Sequence, residues 1–96
     1  MEVTEVIIYK IKEQHRADTK KILTDLRAIV KEIDGFKSIQ SFNGCNDASQ
    51  LMDLVCWKSL EAANNSKDAF RANSEYNSIS SYFDEMSYFN QFYSYL

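Results

Sequence analysis

Residues 51–57, LMDLVCW, constrain the fold of this chain more than any other stretch. Side chains alternate along a strand, so Leu51, Asp53, Val55 and Trp57 share one face and Met52, Leu54 and Cys56 the other. Apart from Asp53, both faces are apolar, which predicts cover on both sides. A sheet with one wet face would alternate more cleanly. Helices on one side, and a second layer or a second copy on the other, would supply that cover. After Trp57 the chain turns polar at Lys58 and Ser59, and Ser59 suits a helix N-cap. Ala62, Ala63 and Ala69 favour a helix, within which Asn64, Asn65 and Ser66 predict a break and a second start.

The flanking segments follow the same logic. Residues 3–12 predict a first strand, with Val3, Glu5, Ile7, Tyr9 and Ile11 on one face and Val6 and Ile8 on the other. A helix is predicted over 17–33, because Ile22, Leu23, Leu26, Ile29, Val30 and Ile33 recur at spacings of three and four. Asp18 or Thr19 falls in its first turn, and Gly35 ends it in a left-handed conformation. Residues 36–43, FKSIQSFN, form a more polar second strand, suited to a sheet edge or a cavity wall. Asn43-Gly44 signals a turn. A second helical region spans 59–88 in pieces, with Ser66 and Ser74 as N-caps and Tyr76, Ile79, Phe83 and Met86 as its stripe. Residues 89–96 form the last strand.

The order is therefore β-α-β-β-α-β, an α+β ferredoxin-like arrangement in a single domain, 1–96. Both helical stripes cover one face of the antiparallel sheet. The other face keeps large apolar residues, an association surface that two copies packed sheet to sheet would bury. That predicts a homodimer through the open sheet face. A 45% hydrophobic content, rich for a chain of 96 residues, points the same way.

Other classes are excluded on composition. The net charge of −3 comes from interleaved acids and bases with no basic patch, so nucleic acid is not expected as a partner. No apolar run nears the ~20 residues of a membrane span, and residues 1–10 lack the features of a secretory leader. Two cysteines and one histidine, not closely spaced, form neither a disulfide framework nor a zinc site. A cytoplasmic protein with reduced thiols and no metal is expected.

The segment WKSLEAANNSKDAF, residues 57–70, together with the layout of nearly the whole chain, resembles the antibiotic-biosynthesis-monooxygenase-like family. The resemblance implies a dimeric α+β barrel. It also implies an activity drawn from cofactor-independent oxygenation of quinols or anthrones, haem degradation, or neither. The anthrone-oxidising branch has an asparagine four residues before the tryptophan and a tyrosine after it. Here those positions offer Asp53 and, as the next tyrosine, Tyr76. An aspartate can act as a base where an asparagine can only donate and accept. The haem-degrading branch needs a histidine shortly after the phenylalanine that matches Phe70. Residues 71–75, RANSE, contain none, so haem degradation is disfavoured and no cofactor is expected.

The candidate catalytic residues are Asp53 and His15. A carboxylate inside a barrel can take a proton from a phenolic substrate; its structural alternative is a hydrogen bond or ion pair across strands. His15, the one histidine, lies between Gln14 and Arg16 at the mouth of the first strand, where it can serve as a base or simply sit at the surface. Trp57 is either a core anchor or a wall for a flat aromatic ligand, with its indole N–H as donor. Tyr9, Asn43, Phe83 and Tyr88 complete the expected ligand contacts, with Gln40 as a further polar handle. Cys56 reads as core filler. The chain is thus expected to be a cofactor-independent monooxygenase of a small electron-rich aromatic. The alternative is a non-catalytic module of the same fold that binds a small apolar ligand or serves to dimerise.

Overall fold

Alternation in the strands and three-four periodicity in the helices produce the predicted order. The computed structural model describes residues 1–96. Its elements are β1 (Val3–Lys10), α1 (Thr19–Lys31), β2 (Phe36–Asn43), β3 (Gln50–Trp57), α2 (Leu60–Ala72), α3 (Ser74–Ser80) and β4 (Phe89–Tyr93). Short 3-10 turns occupy Glu13–Asp18 and Glu85–Ser87. All strands join one antiparallel four-stranded sheet in the order β2-β3-β1-β4. The fold is ferredoxin-like.

The β1–β3 pairing sets the inner face. Val3 lies opposite Trp57 and Lys10 opposite Gln50, which puts Glu5, Ile7 and Tyr9 on the same side as Asp53, Val55 and Trp57. The buried residues of β1 and β3 all lie on this side. Helix α1 covers part of it with Ile22, Leu26, Ile29 and Val30, one stripe at helical spacing. Helix α2 begins at Ser59, whose hydroxyl accepts the Ala62 N–H at 3.0 Å. It turns Ala62, Ala63 and Ser66 inward. Residues this small let the helix approach the sheet and leave volume that larger side chains would fill.

The opposite face carries Val6, Ile8, Met52, Leu54 and Cys56, each partly buried. Phe42, Phe89 and Tyr93, paired with Met52, Ile8 and Thr4, extend it and are about half exposed. Cys56 therefore belongs to this open face and is not core filler; its neighbour is Glu2, 3.5 Å away. In the pairing of the edge strand β2 with β3 the register shifts between Phe36 and Ser38, and Lys37 at the shift pairs with Glu2 at 2.5 Å.

Several sequence expectations need correction. Helix α2 runs unbroken through 64–66: Asn64 and Asn65 face solvent, and the Ser66 hydroxyl donates to the Ala63 carbonyl at 2.6 Å. The break comes at Asn73, which has an extended backbone and accepts the Tyr76 N–H at 2.9 Å, so Asn73 caps α3 and Ser74 is its first residue. Phe83 is not on a helical stripe. It lies beyond α3 in an extended segment bridged to Ile11, and Met86 is 94% exposed. The first helix begins as a 3-10 turn and becomes α-helical only at Thr19.

Gly35 ends the α1–β2 connection at φ +88°, and a Cβ there would meet the Ala62 Cβ at 2.5 Å. Its carbonyl accepts the Lys58 N–H at 2.9 Å, tying the start of β2 to the end of β3. Replacement by alanine combines a strained backbone with a steric clash. Gly35→Ala should lower stability by about 1–3 kcal/mol, read as a lower urea midpoint at unchanged slope.

Candidate functional site

Two carboxylates on the inner sheet face, both almost wholly buried, organise the site. Asp53 on β3 is 3% exposed and Glu5 on β1 is 5% exposed. No lysine, arginine or histidine forms an ion pair with either. Hydrogen bonds from neighbouring strands satisfy them instead. The Tyr9 hydroxyl donates to Asp53 Oδ2 at 2.9 Å, and the Ser41 hydroxyl, from the facing residue on β2, donates to Oδ1 at 2.6 Å. The Trp57 indole N–H donates to Glu5 Oε1 at 3.0 Å, and the Asn90 amide on β4 donates to Oε2. No buried side-chain nitrogen or oxygen is left without a partner.

Between this wall and the helices lies a cavity of about 370 Å³. Glu5, Tyr9, Asp53 and Trp57 line it from the sheet. Ser66, Phe70 and Tyr76 line it from α2 and α3, and Phe83, Tyr88 and Asn90 from the segment that follows. Lys67 and Arg71, one turn apart and exposed, also reach it. The Lys67 ammonium sits 5.1 Å over the Phe92 ring. Phe70 and Tyr76 pack with ring centroids 4.6 Å apart, and Phe83 meets Tyr9 edge-on at 5.3 Å.

This environment keeps the phenols protonated. Burial, reinforced by the charge of Asp53 and the hydrogen bond to it, pushes the Tyr9 hydroxyl well above the usual tyrosine range. Burial and then the Glu5 charge raise Tyr76. Burial, Tyr76 and Glu5 push Tyr88 up to about 12.

Of the residues singled out in the sequence, Asp53, Trp57, Tyr9, Phe83 and Tyr88 come together around the cavity. His15 and Asn43 do not. His15 lies in the 3-10 turn after β1 and packs on Tyr82, ring centroids 4.7 Å apart, outside the cavity. Asn43, at the exposed end of β2, also lies outside it. The Trp57 indole N–H is already committed to Glu5 and the side chain is 0% exposed, so it anchors the wall of the cavity from behind and offers no free donor. No group of three or more His, Cys, Asp or Glu side chains is arranged to hold a metal ion.

The chain shares this architecture with solved structures. It is similar to SnoaB, a cofactor-independent oxygenase from Streptomyces nogalater, at a TM-score of 0.76 and 12% identity, over 99% of this chain and 93% of that one. The fold is that of the antibiotic biosynthesis monooxygenase-like proteins. A candidate antibiotic biosynthesis monooxygenase from Bordetella bronchiseptica aligns at a TM-score of 0.76 and 11% identity, over 99% of this chain and 97% of that one. Rv0793 from Mycobacterium tuberculosis aligns at 0.73 and 13% identity, over 100% and 96% of the two chains. No family model matches the sequence, and no curated protein matches it. At these identities the monooxygenase-like structures establish the fold, and the chemistry has to be argued from the side chains.

Glu5, Ser41 and Asn90 are the site residues that the sequence did not mark. Glu5 carried a usable signal, the same one as Asp53: a carboxylate on the inward side of a strand that is apolar on both faces. Ser41 and Asn90 become visible only once the register places them beside a carboxylate.

The raised phenols fix an alkaline pH dependence. An unfolded tyrosine loses its proton near pH 10, whereas folded Tyr9, Tyr76 and Tyr88 still hold theirs. The folded state then binds more protons than the unfolded one, so stability present below pH 10 is lost as the pH rises above it. For Tyr9, which is 2% exposed, the loss approaches about 1.4 kcal/mol per pH unit; the more exposed Tyr76 and Tyr88 contribute less. Urea midpoints measured on either side of pH 10 should show this fall, and it should be shallower in Tyr9→Phe.

Proposed function

We propose that the cavity binds a small electron-rich aromatic of the quinol or anthrone type, and that the protein oxygenates it with molecular oxygen without a bound cofactor. The observation that carries this reading is Asp53, a buried carboxylate fixed by Tyr9 and Ser41 on the wall of an aromatic-lined cavity beside Trp57. The fold shared with SnoaB supports it by analogy.

In this mechanism Asp53 accepts a proton from the bound substrate, and the resulting carbanion reacts directly with O2. For an anthrone, the methylene carbon loses two hydrogens and gains one oxygen, and the second oxygen leaves as water. A quinol follows the same balance, one O2 giving a hydroxyquinone and water. The cavity contributes orientation and exclusion of water. Phe83 and Tyr88 hold the substrate plane, and Trp57 packs behind the wall that it rests on.

A second reading is binding without turnover. One observation favours it: both Asp53 oxygens already accept a hydrogen bond, the arrangement of a structural cross-strand carboxylate. Oxygen uptake by the purified protein against anthrones, quinols and catechols, with products followed by mass spectrometry, separates the two. The oxygenase reading expects turnover that drops about 10²–10⁴-fold in Asp53→Asn and also falls in Trp57→Phe. Equal rates in both variants would remove these residues from the mechanism, and saturable binding with no product would leave the binding module.

We also propose that the open face, with Val6, Ile8, Met52 and Leu54 at its centre, pairs with the same face of a second copy. Apolar surface of this kind is buried in stable homodimers. Leu54→Lys should yield a monomer by light scattering while the far-UV circular dichroism stays that of the folded chain. A variant that remains dimeric would move the interface elsewhere.

A further inference from the structure

The hydrogen bonds at the inner wall restrict what a ligand can offer there. An ionised carboxylate has two oxygens and about four acceptor sites, and it cannot donate. Each oxygen of Asp53 and of Glu5 receives one hydrogen bond from the protein. One acceptor site therefore remains on each, on side chains that line the cavity. The donors nearest them, the Tyr9 hydroxyl and the Trp57 indole N–H, are already engaged. The two carboxylates do not overlap. Asp53 lies opposite Ile7, and Glu5 lies opposite Val55, so they sit diagonally across neighbouring strands. That places their α-carbons about 7–8 Å apart along the wall. Apolar surface from Val55, Trp57 and Phe83 lies around them.

We infer that Glu5 is a second ligand-binding group of this cavity, and that the cavity selects an aromatic carrying hydrogen-bond donors at two separated positions, one for Asp53 and one for Glu5. This rests on the reading of the cavity as the ligand site and deepens it: it favours an aromatic diol over a mono-ol and over the fully oxidised quinone. A quinone carbonyl presents only acceptors to a carboxylate and is repelled by it. The hydroxyquinone product keeps one donor where the quinol had two, so it is held more weakly than its reduced precursor. Glu5 acts here as a specificity group, while proton removal stays with Asp53.

The test is calorimetric titration of the intact protein with three naphthalenes: a diol with its hydroxyls on opposite rings, the corresponding mono-naphthol, and the dimethyl ether of the diol. A hydrogen bond to a charged group is worth about tenfold in affinity or more, so the diol should bind at least about tenfold tighter than the mono-ol. The ether should bind weakest. In Glu5→Gln the ratio of diol to mono-ol affinity should collapse towards one. Equal affinities for diol and mono-ol in the wild type would overturn the inference and leave the cavity reading standing. Loss of both affinities in proportion in Glu5→Gln would also overturn it, because that is what a purely structural Glu5 predicts. Absence of binding for all three would sink the cavity reading and this inference with it. Should Glu5→Gln fail to fold, the wild-type series alone decides.

Discussion

Everything on the inner face depends on one register. Val3 opposite Trp57 brings Glu5 within reach of the indole N–H and Tyr9 within reach of Asp53. A one-residue slip of β1 along β3 would turn Glu5 and Tyr9 to the other face and leave Asp53 and Trp57 without them. It would also send Val6 and Ile8 inward in their place. The apolar core resists that exchange through Val3, Val55 and Trp57, each at most 5% exposed. The two carboxylates resist it as well, since each finds its donors in this register alone. Packing and polar satisfaction thus select the same pairing.

The helical layer then decides how much room is left. Helix α1 fills its part of the sheet with branched aliphatics. Helix α2 puts alanines and a serine inward, and the space they leave opens over the Asp53–Trp57 end of the sheet. The aromatic rings that edge this space come from segments far apart in the chain: Tyr9 from the first strand, Phe70 and Tyr76 around the α2–α3 break, and Phe83 and Tyr88 beyond it. A cavity built this way has rigid floor residues on strands and side walls on shorter elements.

Much of this could be read in the sequence, for physical reasons. β2 was bounded at Phe36–Asn43 because Gly35 and Asn43-Gly44 punctuate it at both ends. β3 was clear because no amphipathic helix has LMDLVCW as its pattern. The polar character of β2 correctly marked an edge. What misled was the equation of polar residues with helix ends. Asn64, Asn65 and Ser66 sit comfortably within α2, two of them in solvent and the third bonded back to its own helix. Within the site, Asp53 was legible as an oddity in an apolar strand. Its partner Ser41 was not, because nothing local to a serine reports which strand it will face. His15 and Asn43 attracted notice as chemistry-bearing residues in loops and strand ends, yet the chain turns both away from the cavity.

The register shift at the start of β2 bears on the margins of the sheet. A sheet with two free edges can in principle recruit further strands on either side and grow without limit. Here one border is interrupted where the register shifts beside Lys37, and its cationic end is tied to Glu2. The other border is β4, only five residues long. Neither offers the long flat template that a polymerising strand requires. Lateral growth is blunted at both margins, so it does not compete with the face-to-face pairing proposed above.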